Sequence, residues 1–119
     1  MESILTSIKK MLGLSAEYKH FDDDIIMNIN SVFADLAQMG VGPSEGFFIE
    51  DDSLLWEDFI SDNLLLNSVK TYMYLRVKLL FDPASVGSST LASYERQISQ
   101  WEWRLNIAAE SADTGEVKA

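Results

Sequence analysis

The stretch FDDDIIMNINSVFADLAQMGVGP, residues 21–43, decides the fold class. After three aspartates, the apolar residues Ile25, Ile26, Ile29, Val32, Phe33, Leu36 and Met39 recur mostly three and four apart. That is the period of a helix burying one face. The carboxylates of Asp22, Asp23 and Asp24 complement the positive end of the helix dipole. Gly40-Val41-Gly42-Pro43 ends the run, because glycine accepts a left-handed cap and proline cannot donate to the last carbonyls. The spacing predicts a helix from about Asp23 to Met39.

Upstream, Ser3 opens a shorter amphipathic pattern of Ile4, Leu5, Ile8, Met11 and Leu12, with Gly13 as a stop. Downstream, Phe47-Phe48-Ile49 and Leu54-Leu55-Trp56 flank the acidic Glu50-Asp51-Asp52-Ser53, which suggests a short β-hairpin or an extended loop insertion. Trp56 to Ile60 suits one helical turn. Asp62 or Asn63 caps a third long helix, Leu64 to Phe81, which closes at Asp82-Pro83 because the residue before proline is pushed out of the helical region. After a short Gly/Ser link, residues 84–89, Leu91, Tyr94, Ile98, Trp101, Leu105 and Ala108 make a continuous seam along a final helix. The tail, residues 109–119, lacks such a pattern and is expected to be disordered. The expected fold is mainly α: a small bundle of about four helices in one domain, residues 1–108, with the hairpin or loop between the second and third helices.

Composition narrows the chemistry. The chain has 119 residues, 47% apolar and 24% charged, enough for one core without covalent staples. Nine Lys and Arg against nineteen Asp and Glu give a net charge of −10, which argues against a protein that grips phosphates. There is no cysteine and His20 is the only histidine, so zinc fingers, thiol catalysis and disulfide frameworks are excluded. Glu2 stands where a signal peptide would be basic, and no apolar run approaches the ~18 residues of a membrane span. Cytosolic synthesis, without a membrane, is the expectation.

Candidate sites thin out on inspection. Asp22 to Asp24 beside His20 could ligate a metal, but successive helical residues diverge by about a hundred degrees and do not converge on one ion. Glu50-Asp51-Asp52-Ser53 is not a calcium loop, since Leu55, Trp56 and Asp62 occupy the positions where that motif needs an oxygen, a glycine and a glutamate. No nucleophile elbow or phosphate loop is present. No catalytic, cofactor or metal residue is therefore nominated.

Two features stand out. Arg76 falls inside the apolar arc of the third long helix, between Leu65, Val69 and Tyr72. It either snorkels to water or clamps a carboxylate of a neighbouring helix or subunit. Trp103 lies about two hundred degrees from Trp101 around the last helix, beside Ile107 and Arg96. It makes a second apolar patch that suits a protein interface better than a core.

The succession ILTSIKKMLGL, FDDDIIMNINSVFADLAQMGVGP, FFIEDDSLLWEDFI, VKTYMYLRVKLLFDP and ERQISQWEWRLN resembles the small head-tail connector proteins of tailed bacteriophages and prophages, also called adaptor, head-completion or DNA-packaging proteins. The resemblance covers roughly residues 1–108. It implies a non-enzymatic helical protein without cofactors. Such a protein assembles as a homo-oligomeric ring below the portal and extends the DNA channel. It also offers a docking surface to the next neck or tail component. It implies assembly in the host cytoplasm and a final place at the virion neck, with DNA passing through unbound. On that expectation Trp103, Ile107, Arg76 and Arg96 belong to interfaces, and Glu50, Asp51 and Asp52 are candidates to face the channel. The competing expectation from acidity alone is a regulatory protein-binding module that mimics DNA or inhibits a DNA-binding protein.

Overall fold

In the computed structural model, which describes residues 2–115, five α-helices follow one another. They are α1 (Ile4–Met11), α2 (Asp22–Met39), α3 (Trp56–Phe59), α4 (Asn63–Phe81) and α5 (Ser88–Gly115), with a 3-10 turn at Pro83–Ser85 before the last. The fold is mainly α. No described helix is long and apolar enough to cross a membrane.

Local chemistry sets most boundaries. Ser3 caps α1 by accepting from the Thr6 N–H at 3.0 Å. Lys9, on the last turn of α1, is only 2% exposed, and its ammonium lies 2.8 Å from Asp22 Oδ1 while donating to the Ala16 carbonyl at 3.1 Å. One buried cation thus ties the end of α1, the connecting loop and the start of α2. At the other end of α2, Gly40 takes φ +87°, its N–H bonds to the Ala37 carbonyl, and the Val41 N–H bonds to that of Leu36. This is a Schellman ending. Gly42 has φ +96° and lies against Phe59, whose ring a Cβ would strike. Asp62 caps α4 through the Leu64 and Leu65 N–H groups.

The insertion is an extended loop, and the β-hairpin alternative is corrected. Among the described residues the only β contact is an isolated antiparallel bridge between Ser3 and Leu55, supported by the Ile4 N–H donating to the Leu54 carbonyl at 3.0 Å. The other arm pairs with a side chain. Asn30 on α2 donates to the Ile49 carbonyl at 2.9 Å and accepts from the Ile49 N–H at 2.8 Å, standing in for a β-strand neighbour. Each arm satisfies its backbone elsewhere, so the two do not pair with each other.

The core is built on Phe33 of α2, whose ring lies 4.7 Å from Phe59, 5.0 Å from Phe47 and 6.4 Å from Trp56. Buried Trp56 donates from Nε1 to Ser7 Oγ at 2.7 Å, which keeps its polar atom satisfied beneath α1. Ile25, Ile29 and Val32 of α2 and Val69, Met73 and Val77 of α4 are fully buried around it.

The last helix departs from expectation at both ends. Its seam is buried at Leu105, with Ile98 and Trp101 packed at the edge of the core, whereas Leu91 is exposed. The helix also continues past Ala108 to Gly115, and Ala109 packs against the core. Residues 116–119 of the expected disordered tail lie outside the described residues.

Candidate functional site

Because α5 returns along α4 after a short link, Tyr72 and Arg76 of α4 come to face Glu102 of α5 and Asp35 of α2. Arg76 donates from Nη2 to Asp35 Oδ2 at 2.7 Å and from Nη1 to the Tyr72 hydroxyl at 2.6 Å. That hydroxyl in turn donates to Glu102 Oε2 at 2.8 Å, and Glu102 lies 3.9 Å from Arg76 Nη1. Burial, and then the bond to the Glu102 carboxylate, push the Tyr72 phenol up to about 12. Burial opposes the charge on Arg76, but the Asp35 bond and the Tyr72 hydroxyl prevail and raise its pKa.

Of the two roles open to Arg76, the structure selects the carboxylate clamp and places it within the chain. The guanidinium joins α2, α4 and α5 of one protomer. Asp35 and Glu102 were not singled out in the sequence. Their signal is indirect: Asp35 borders the core stripe at Leu36, and Glu102 sits between two tryptophans.

On the outward side of α5 the arrangement differs. Trp103 is 67% exposed and Ile107 44%, while Trp101 is half-buried against the core. The Arg104 guanidinium lies 5.0 Å from the centre of the Trp101 ring. With Ser99, Gln100 and Trp103 it lines a shallow recess. Arg96 is exposed one to two turns earlier and borders a second recess with Glu95 and Ser99. Trp103, Ile107 and Arg96 therefore share one solvent-facing region, and Arg76 stands apart from it.

The acidic loop is open to solvent at Glu50, Asp51 and Asp52. The Ser53 hydroxyl and N–H both donate to Asp51 Oδ1, at 2.6 and 2.9 Å, and hold its carboxyl below the usual range. A cleft of about 550 Å³ opens between α1, α2 and the end of α4. Leu12, Phe21, Met27, Leu80 and Phe81 line it, with Asp24. Met27 and Leu80 are 69% and 49% exposed. This groove was not anticipated, since it joins the ends of three elements distant in sequence.

Asp22 is engaged by Lys9, and the His20 ring packs 4.7 Å from Phe21. No group of three His, Cys, Asp or Glu disposed to hold a metal occurs among the described residues. What the arrangement offers chemically is surfaces: an apolar, arginine-flanked helix face, a groove lined about equally by apolar and polar groups, and an acidic loop.

No curated protein and no solved structure matches the chain. Comparison with protein families matches residues 4–112 to the family described as phage connector protein. That span takes in every helix from α1 into the last turns of α5, and the chain belongs to the phage connector protein family.

Proposed function

We propose that the protein is a structural head-tail connector of a tailed phage or prophage. It assembles as a homo-oligomeric ring below the portal, prolongs the DNA channel and presents a docking surface to the next neck or tail-completion protein. It performs no catalysis. Assembly takes place in the host cytoplasm, and its final place is the virion neck. The observation that carries this reading beyond family membership is the exposed Trp103 and Ile107 on α5. The core closes without them, and a large aromatic beside an aliphatic residue is the composition of an interface anchor. The acids Glu50, Asp51 and Asp52 face the channel in this reading, where negative charge lets a polyanion pass without being held.

A DNA mimic is less well supported, because its carboxylates would have to line up as phosphates do. Here Asp22 and Asp35 are in ion pairs, and Asp58 and Asp62 are bound to backbone N–H groups at helix starts. Electron microscopy of the purified chain, alone and mixed with the portal protein of the same phage, tests the proposal. Rings seated on the portal are the expected result. A chain that stays monomeric and leaves the portal unoccupied refutes it.

A further inference from the structure

A ring of more than two subunits joins them head to tail, so each protomer must carry two different surfaces that fit each other. The α5 face and the groove at the opposite end of α2 meet that requirement. Ala109, beside Ile107, packs at Gly40, where α2 ends. Met27, in the groove, lies thirteen residues earlier on α2, roughly 20 Å away at the helical rise. The two surfaces are therefore distinct patches, one carrying an exposed tryptophan and one concave.

Their chemistry is complementary as well. Arg96 and Arg104 on α5 form no ion pair among the described residues, and neither does Asp24 at the groove. We infer that the Trp103 and Ile107 face of one protomer seats in the Met27 and Leu80 groove of the next, with Arg96 and Arg104 brought against Asp24. This rests on the connector reading above and names the contact that closes its ring. A cleft of about 550 Å³ is within the range of sites that enclose compact apolar groups. A seated tryptophan supplies roughly 150–250 Å² of the roughly 800 Å² that each partner of a stable contact buries. The contact accordingly continues along α5 to Ser99 and Gln100, both exposed.

The absence of native cysteine makes the test clean. Asn28→Cys marks the groove and Gln100→Cys marks α5. Under a short bismaleimide linker, the mixture of the two single variants gives a covalent dimer, and neither gives one alone. The double variant gives a ladder of species that ends at the ring's copy number. Self-linking of Gln100→Cys as strong as in the mixture shows a symmetric contact and overturns the inference. So does a missing ladder in preparations where microscopy shows rings, and in that case the connector reading stands.

A second arm does not depend on linker chemistry. Met27→Glu, at a position already 69% exposed, keeps native helicity and weakens self-association about tenfold or more, as expected for a charge placed in an interface centre. Asp24→Arg weakens it too, and Arg104→Asp in the neighbouring protomer restores it. Association untouched by Met27→Glu refutes the groove, whereas loss of both rings and portal binding in the unaltered chain refutes groove and connector together.

Discussion

Replacing Arg76 by methionine removes the cation that joins three helices while keeping most of the aliphatic stem. The Arg76 side chain is 19% exposed, whereas those of Asp35 and Glu102 are 45% and 42% exposed. Breaking a fully buried pair costs about 3–5 kcal/mol, and a surface pair contributes about 0–1. With one partner largely desolvated and the acids half in water, the expected loss is about 2 kcal/mol. Tyr72 keeps its bond to Glu102, so no buried hydroxyl is orphaned. For a domain of this size the melting temperature falls by roughly 6–10 °C. Asp35→Ala alone costs less, about 1 kcal/mol, because water already solvates half of that carboxylate. Urea denaturation of both single variants and the double variant gives the coupling energy, expected at about 1 kcal/mol. Coupling below about 0.3 kcal/mol, with Arg76→Met as stable as the parent, would refute the view that the clamp ties α2 to α4.

Three further outcomes follow from individual contacts. Trp101→Ala costs the monomer about 2–3 kcal/mol, less than a fully buried aromatic because the ring is half-exposed; Trp103→Ala costs under about 1 kcal/mol yet abolishes ring formation by sedimentation, and equal destabilisation with assembly intact would make Trp103 ordinary core. Lys9→Ala destabilises by about 3 kcal/mol or more in chemical denaturation because it strands the Asp22 carboxylate, whereas Lys9→Met with Asp22→Leu recovers most of that loss; a double variant no better than Lys9→Ala would contradict the pairing. The folded chain holds the Tyr72 proton up to about pH 12, while the unfolded chain loses it near 10, so this contribution is complete below pH 10 and drains away as pH rises through 12, by at most about 1.4 kcal/mol per pH unit; a Tyr72→Phe variant with the same alkaline decline in thermal melts would exclude Tyr72 as its cause.

How far the sequence could be read depended on how local each determinant is. The α2 helix was legible because acids, stripe and Gly-Val-Gly-Pro all speak of the same segment, and the observed Asp22–Met39 differs by one residue. The insertion was legible only as far as its extended arms. Their partners are the Asn30 side chain and Ser3, and no hairpin signal tells a backbone that a remote amide will replace its neighbour. Arg76 was visible as a cation in an apolar arc, but whether its carboxylate belonged to a helix or a subunit depended on which helices adjoin. The groove left no trace at all, being assembled from the ends of three elements.

The last helix shows why an assembly surface can be half legible. The seam from Leu91 to Ala108 reads as uniformly apolar, yet burial requires a neighbour of matching length. With 28 residues in α5 and 19 in α4, about nine residues, or roughly 14 Å, run on without α4 beside them. Leu91 is exposed in the first turn although its spacing equals that of Ile98 and Leu105. The angular position of Trp103 was readable because it depends only on the helix's own geometry. The excess length of α5 depends on the whole bundle. A helix longer than its own core can cover, carrying an outward tryptophan, is suited to be completed by another chain; shortening α5 from its first turn should therefore impair assembly before it impairs folding.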